Sequence, residues 1–351
     1  MTNRKNIIQK IMFVLLVFFM FSTISVADGK KIEGDLSIMV LGSGGPVATA
    51  AGRASAGYLI FAGGEPRILM DVGGGTFQRL AKSGVNIHAL DRVLLSHLHI
   101  DHTGDLSSMI KTIYFHNNMA RSSNPNIPGR TAPVHIYGPD SSSFPDAPGG
   151  KFPGTDVLQY PSTMDYAHQH YSILGGGVER YLHAFAPAIS QHASKFSYVP
   201  HNLSSDWQNA NIEEVFEKDG LKVTSIAVNH GPVPAVAFRI DYKGHSIVYS
   251  GDTSSKTNNV AALAEGVDLL IYDTAITETL PGNPVFHALH TKPKRIGEIA
   301  AQAKVKTVLL SHITPVTESR LKEVKADVRN AGFRGKIKIA KDLKVYNLGD
   351  D

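Results

Sequence analysis

A histidine-rich motif at residues 96–102 constrains this chain more than any other stretch. It reads Ser-His-Leu-His-Ile-Asp-His and follows a short apolar run, so His97 is expected where a buried strand runs into a loop. Residues two apart on an extended chain point the same way, so His97 and His99 can bind one metal ion. Asp101 and His102 lie beyond the turn and can reach a second ion. Imidazole and carboxylate ligands suit zinc and similar divalent metals.

Three later strands end in a similar way. Each predicted strand is apolar and places one metal-competent side chain at its carboxyl end, namely His230, Asp252 or His312. If these strands and the strand before His97 belong to one sheet, their ends converge on a single site. A capped strand end or an ordinary turn carboxylate explains any one of them, but not the whole set. We therefore expect a metal site at one edge of a sheet.

The N-terminus predicts export. Residues 1–27 combine a basic start, an apolar core and a small-x-small sequence before Asp28, which is typical of a secretory signal peptide. The apolar run is short for a membrane span, and an uncleaved N-terminal anchor is the alternative. Residues 28–351 then form one predicted domain. Its region 117–218 is rich in Pro, Gly and Ser, contains one clear strand at 134–137, and is expected to be a lid or insertion.

Composition narrows the choice of partner. The chain has no cysteine, which excludes disulfides, thiolate ligands and a lipid anchor on cysteine. Three of its 35 Lys and Arg belong to the predicted signal peptide, which leaves 32 against 31 Asp and Glu. The sequence contains no dense block of Lys and Arg, whereas binding of a phosphate backbone usually leaves a basic patch. The composition therefore disfavours a nucleic acid as partner, so a small molecule is the expected substrate.

With these motifs, the chain resembles the metallo-β-lactamase superfamily. The resemblance implies an α/β fold, a four-layer αββα sandwich with a long irregular insertion and a binuclear metal site at one edge. It implies that one ion is bound by His97, His99 and His230, that the other is bound by Asp101, His102 and His312, and that Asp252 bridges the two. The expected cofactors are two Zn²⁺, with Mn²⁺ or Fe as alternatives, which together activate a shared water to hydroxide at neutral pH.

Within that superfamily, the chain is more similar to the ribonuclease Z-like branch, which also contains exported arylsulfatase-type enzymes. The similarity rests on four segments: 41–44, 71–76, 137–139 and 290–291. His290 matches the non-ligand catalytic histidine of that branch, which would stabilise charge or protonate a leaving group. Three departures weaken the transfer of tRNA processing. Gly74 replaces a glutamate, Asp273-Thr274-Ala275 stands where Glu-Ala-Thr is expected, and the insertion after Pro139 does not resemble the basic tRNA-clamping arm of that branch.

The sequence therefore favours a metal-dependent hydrolase of phosphodiester or sulfate esters, exported to the periplasm or secreted. A metal-bridging hydroxide would attack the ester, Asp101 would accept a proton and His290 would assist the leaving group. Three alternatives remain: a ribonuclease Z-type tRNA 3′-processing endonuclease, which predicted export disfavours; a lactonase or β-lactamase-like hydrolase; and a non-catalytic metal-binding scaffold. The resemblance also allows a homodimer, and we expect no membrane association after signal cleavage.

Overall fold

The computed structural model describes most of the chain after the predicted signal peptide. The described residues are 32–88, 90–124, 126, 127, 129, 132–141, 160–172, 174, 175, 177–180, 182, 197–279 and 284–349. Residues 1–27 lie outside this set, so the signal peptide and export stay predictions. Among the described residues, no helix combines the length and apolar character that crossing a membrane requires.

Fourteen strands are formed by the described residues. In chain order they are β1 (Leu36–Gly42), β2 (Gly57–Ala62), β3 (Glu65–Val72), β4 (Arg92–Leu94), β5 (Val134–Pro139), β6 (Tyr198–Leu203), β7 (Glu213–Lys218), β8 (Leu221–Ala227), β9 (Val236–Tyr242), β10 (His245–Tyr249), β11 (Leu269–Asp273), β12 (Thr307–Ser311), β13 (Lys336–Ile339) and β14 (Val345–Leu348). Central strands such as β2, β11 and β12 are nearly continuous apolar runs, because strands covered on both faces have no side that needs polar residues.

The strands form two mixed sheets. The first has the order β14-β1-β2-β3-β4-β5-β6, and the second has the order β13-β12-β11-β10-β9-β8-β7. Strands β3 to β6 run parallel to one another, as do β10 to β13. β8 is antiparallel to β9, which is antiparallel to β10, so β8 and β10 share a direction. The carboxyl ends of β8, β10 and β12 therefore lie at one edge of the second sheet.

Helices cover the outer face of each sheet. They are α1 (Thr76–Ser83), α2 (Ile100–Thr103), α3 (Leu106–Ser123), α4 (Thr163–Tyr171), α5 (Asn259–Leu263), α6 (Pro284–Leu289), α7 (Pro293–Gln302), α8 (Pro315–Glu318) and α9 (Leu321–Asn330). One hydrophobic cluster joins the first sheet to α1, α3 and α4, and a second joins the other sheet to α5, α7 and α9. A third contains strand residues from both sheets and fills the space between them. The predicted four-layer αββα sandwich is confirmed.

The expectation that all the ligand-bearing strands belong to one sheet is wrong. β4, which precedes His97, lies in the first sheet, whereas β8, β10 and β12 lie in the second. The ends of the two sheets meet at the site, where the backbone N–H of Val236 donates to the carbonyl of Ser96 (2.8 Å). Strand-end patterns identify the right edge, but they carry no information about which sheet each strand joins.

The region 117–218 contains more regular structure than the sequence indicates. Besides β5, its described residues include the end of α3, the whole of α4, and strands β6 and β7, which form the edges of the two sheets. Pro200 in β6 and the charged residues of β7 hide the strand pattern, and both features are tolerated at a sheet edge. Residues 142–159 and 183–196 of this region lie outside the described residues, and its role as a lid stays a prediction.

Asp342 ties together three segments beside the strand ends. Its Oδ1 accepts hydrogen bonds from the backbone N–H (3.0 Å) and hydroxyl (2.7 Å) of Ser43, which follows β1. Its Oδ2 accepts from the N–H of Ala54 (2.9 Å) and from Nε of Arg79 on α1 (3.1 Å). One carboxylate therefore accepts hydrogen bonds from two backbone N–H groups outside the strand ladders and from one guanidinium.

We expect Asp342→Ala to lower the free energy of unfolding by about 2–3 kcal/mol, because it leaves partly buried donors without acceptors. Urea denaturation followed by circular dichroism measures the change. Glu323→Ala, at an exposed position on α9, is the control and should change stability by less than about 0.5 kcal/mol. Equal losses in the two variants would contradict the structural role of Asp342.

Candidate metal centre

The fold brings all seven predicted metal ligands to one place at the carboxyl ends of the strands. They fall into two groups whose ligand atoms lie within 4.8 Å of one another: His97, His99 and His230 in the first, and Asp101, His102, Asp252 and His312 in the second. His99 is half-buried and the other six are buried. The two groups match the division that the spacing of the histidine-rich motif predicts.

The first group consists of three imidazoles whose nitrogens face one another. Nε2 of His97 lies 3.0 Å from Nδ1 of His99, which lies 3.4 Å from Nε2 of His230. Two such nitrogens share at most one proton, so three converging nitrogens cannot satisfy each other by hydrogen bonding alone. With zinc–nitrogen bonds of about 2.0–2.1 Å, the edge of a coordination tetrahedron is about 3.3 Å. The observed separations therefore fit three ligands of one ion.

The second group mixes imidazoles and carboxylates at similar separations. Nε2 of His312 lies 3.3 Å from Nε2 of His102 and 3.2 Å from Oδ2 of Asp101. Oδ2 of Asp252 lies 3.2 Å from His312 and 3.5 Å from His102. Two nitrogens and two carboxylate oxygens form a set of ligands that suits a divalent ion of the zinc, manganese or iron type.

Asp252 lies between the two groups. Its Oδ2 is 3.9 Å from Nε2 of His97 and 4.0 Å from Nε2 of His230, in addition to its contacts with the second group. Its Oδ1 is buried and has no hydrogen-bond partner among the described residues. A buried, unpaired carboxylate oxygen is costly unless a cation compensates it. The donor set and this oxygen fit a divalent metal site with Asp252 shared between two positions.

The electrostatics of the two groups differ. Burial lowers the pKa of His97 well below its ordinary value and that of His230 to about 4, so both imidazoles are neutral and free to act as ligands. Burial also acts to lower the pKa of His102 and His312, but Asp252 and Asp101 outweigh it and raise both, that of His312 to about 10. The carboxylates thus hold positive charge in this cavity, which is the charge that a metal ion supplies.

Asp71 orients His102 and was missed by the sequence analysis. It is fully buried at the end of β3, with a left-handed φ of 51°. Its carboxylate accepts hydrogen bonds from Nδ1 of His102 (2.7 Å), the hydroxyl of Tyr249 (2.8 Å) and both the N–H and hydroxyl of Ser96. A proton fixed on Nδ1 leaves the Nε2 lone pair directed at the second group. The carbonyl of Leu289 does the same for His230, because it accepts from Nδ1 at 2.8 Å.

His290, the predicted catalytic histidine, lies beside the two groups without belonging to either ligand set expected from the sequence. Its Nδ1 donates to Oδ2 of Asp273 (2.7 Å) and lies 3.9 Å from Oδ2 of Asp252. Burial acts to lower its pKa, but the carboxylate of Asp273 outweighs this and raises it above the ordinary value. Oδ1 of Asp273 lies 3.3 Å from Nδ1 of His312. Asp273, noted in the sequence only as a departure, thus contacts both a candidate ligand and the candidate acid.

The rule that found the ligands would also have found these two aspartates. Asp71 is the penultimate residue of β3, and Asp273 is the final residue of β11. Both stand at carboxyl ends of strands in the same way as His230, Asp252 and His312. In the sequence, Asp71 stands out only as the start of the segment 71–76, and Asp273 only as a substitution. A uniform reading of strand ends identifies the supporting carboxylates together with the ligands.

Two glycines let the backbone approach the site. A Cβ on Gly73 would lie 1.9 Å from the carbonyl oxygen of Asp101, and one on Gly45 would lie 2.8 Å from the imidazole of His312. Contacts this short cannot exist, so any side chain at either position displaces a candidate ligand. The glycine-rich turns after β1 and β3 are therefore required by the close packing around the metal centre.

We expect Asp71→Asn to weaken zinc binding about 10- to 100-fold, because the amide removes the charge that fixes the tautomer of His102. Competition with a chromophoric zinc chelator measures the affinity, and circular dichroism checks that the variant is folded. Asp35→Asn, at an exposed ion pair with Lys243, is the matched control and should bind zinc as the wild type does. Unchanged zinc affinity in folded Asp71→Asn would show that Asp71 does not orient a ligand.

Solved structures share this fold. The metallo-β-lactamase fold protein YhfI from Bacillus subtilis has a TM-score of 0.59 at 22% identity, and the match covers 90% of this chain and 99% of that one. The short form of human tRNase Z also has a TM-score of 0.59, at 19% identity, with 88% and 98% covered. At these identities the likeness establishes the two-sheet architecture.

Sequence relatives correct one expectation. A protein named Ribonuclease Z from Mycobacterium avium is 26% identical over 314 residues, which cover 88% of this chain and 96% of that protein. Relatives that are ribonucleases by name contradict the expectation of a small-molecule ester partner with nucleic acid disfavoured. The error has a physical cause. Net charge reports on binding to the phosphate backbone at long range, whereas single strands are also held by stacking of their bases.

Family profiles match two parts of the chain. The profile described as "Anti-Pycsar protein Apyc1" matches residues 36–127, and the one described as "Beta-lactamase superfamily domain" matches residues 176–313. Together they include every residue of the two ligand groups. The superfamily match, the αββα sandwich and the clustered His and Asp side chains agree with one another. Residues 176–313 therefore match a β-lactamase superfamily domain, and the chain is a metal-dependent hydrolase that acts on ester bonds.

Proposed function

We propose that this protein is a phosphodiesterase that hydrolyses RNA with two divalent metal ions, Zn²⁺ being the expected species. The observation that carries the proposal is the His290–Asp273 pair, which places a protonatable imidazole next to the shared carboxylate Asp252. The relatives named Ribonuclease Z, aligned over 88% of the chain, support RNA as the substrate. The seven clustered His and Asp side chains are the proposed ligands.

The leaving group explains why such an acid is needed. Cleavage of an RNA phosphodiester releases a ribose alkoxide, which is a poor leaving group unless it is protonated as the bond breaks. An aryl sulfate releases a phenolate that is far more stable and gains much less from protonation. Asp273 raises the pKa of the buried His290 imidazole, so this imidazole holds a proton more readily than a free one and can give it to the alkoxide. This chemistry favours phosphodiesters over sulfate esters.

Each residue of the site has a separate role in the proposed reaction. Two divalent ions, when bound, supply Lewis acidity and lower the pKa of a coordinated water. Asp101, whose carboxylate belongs to the second group, would accept a proton from the attacking water. His290 donates a proton to the departing oxygen. Asp273 holds the imidazole in the orientation for that transfer and stabilises its protonated form.

We expect His290→Ala to lower kcat for RNA cleavage about 10²- to 10⁴-fold, because the alkoxide then leaves without a proton. The same variant should lose less than about tenfold on bis(p-nitrophenyl) phosphate, whose nitrophenolate leaves unaided. The assay compares the zinc-loaded wild type and variant on a precursor tRNA, an unstructured RNA and the nitrophenyl diester. A preference for the precursor tRNA identifies tRNA processing.

His287→Ala is the control, since His287 lies on the same helix and is half-buried. It should leave both activities within about twofold of wild type. Turnover of p-nitrophenyl sulfate without cleavage of either RNA would overturn the proposal. Equal losses on RNA and on the nitrophenyl diester in His290→Ala would reject His290 as the acid for the leaving group.

A further inference from the structure

Exposed apolar side chains are concentrated near the candidate ligands along the chain. Ten large apolar side chains are exposed in the described part of the chain, and four of them lie within five residues of a candidate ligand or His290 in the sequence: Ile100, Val285, Phe286 and Val316. A fifth, Val47, follows Gly45, whose backbone packs against the imidazole of His312.

Phe286 has the most specific position of these five. It lies on α6, and the N–H of His290 donates to its carbonyl with the helical i to i+4 spacing (2.9 Å). Residues four apart on a helix share a face, and the axial rise between them is about 6 Å. The side chain of His290 reaches into the metal centre, whereas Phe286 is 46% exposed. The phenyl ring is thus one helical turn farther out on the face that carries the acid.

The position of α6 relative to the ligands is fixed at its carboxyl end. The carbonyl of Leu289 accepts a hydrogen bond from Nδ1 of His230, and a Cβ on Gly231 would lie 2.9 Å from the Leu289 side chain. Leu289 therefore connects the helix directly to a candidate ligand by hydrogen bonding and by close packing. An aromatic ring on a helix held in this way is a preorganised surface, which costs little entropy when a flat group binds.

The chemistry of the Phe286 side chain favours a base over a phosphate as its partner. Residues 284–290 read Pro-Val-Phe-His-Ala-Leu-His and contain no Lys, Arg, Asp or Glu. A phosphate backbone is bound by cations or oriented N–H donors, and an exposed phenyl ring supplies neither. Aromatic side chains in proteins that bind single-stranded nucleic acid stack against bases, which have an accessible π face once they are unpaired.

We propose that Phe286 stacks against the nucleobase on the leaving-group side of the scissile phosphate. His290 assigns the base to the leaving-group side of the scissile phosphate. This imidazole protonates the departing oxygen, and it lies on the same helical face as the phenyl ring. This inference rests on the proposed function and adds a base-binding subsite to it. It makes an unpaired nucleotide at that position part of the substrate, since a base in a duplex is already stacked.

The test uses a single-stranded RNA oligonucleotide that the zinc-loaded wild type cleaves at one site. Phe286→Ala should raise KM about 5- to 150-fold at unchanged kcat, which corresponds to the loss of one base–aromatic stack. Phe286→Trp should restore KM to within about threefold of wild type. His287→Ala is the matched control, because His287 lies on the same helix about 100° around it from Phe286 and is not one of the five exposed apolar residues.

A set of oligonucleotides with a single abasic ribose identifies the base. The abasic site on the leaving-group side should raise KM for the wild type by the same factor as Phe286→Ala, and should raise it no further in that variant. If the abasic site and Phe286→Ala raise KM by independent factors that multiply, Phe286 does not bind that base. An unchanged KM in Phe286→Ala would likewise overturn the subsite. Failure of the wild type to cleave any RNA would instead reject the proposed function, so the two failures are distinguishable.

Discussion

The buried carboxylate of Asp252 is the interaction on which the rest of this structure depends. One oxygen lies within 4.0 Å of the imidazoles of His97, His102, His230 and His312, and the other has no hydrogen-bond partner in the described part of the chain. Burial of a charge in this way is stable only with compensating positive charge. The strand ends of the two sheets meet here, and they bring together a group of neutral imidazoles and a group in which carboxylates face protonatable imidazoles. The whole arrangement is organised to hold cations.

The sequence identifies the candidate ligands because their chemistry is local. Four apolar runs each end in a histidine or aspartate, and strand ends lie where polar side chains can converge. The same logic covers Asp71 and Asp273, which hold His102 and His290 by hydrogen bonds of 2.7 Å. Those two were missed because a glycine-rich turn and an expected glutamate drew attention to other features. Their roles depend on partners that are distant in sequence, which no local pattern shows.

The remaining differences between the expected and the observed structure depend on contacts between residues that are far apart in the sequence. Assignment of the ligand strands to two sheets follows from pairing, in which β4 joins β3 and β5 while β10 joins β9 and β11. Edge strands β6 and β7 lack an apolar pattern, since half of their surface is not covered. The near-neutral net charge wrongly disfavoured nucleic acid as partner. An aromatic side chain that stacks on a base, as proposed for Phe286, carries no charge and therefore does not change the net charge.

Metal content of the purified protein tests the central claim most directly. After zinc reconstitution and removal of unbound metal, inductively coupled plasma mass spectrometry should give two zinc ions per wild-type chain. Asp252→Asn should retain one or fewer, because the neutral amide cannot serve both positions. Asp35→Asn, at a surface ion pair, should retain two. A wild-type protein that binds no zinc, or an Asp252→Asn variant that still binds two ions, would contradict a metal centre built around Asp252.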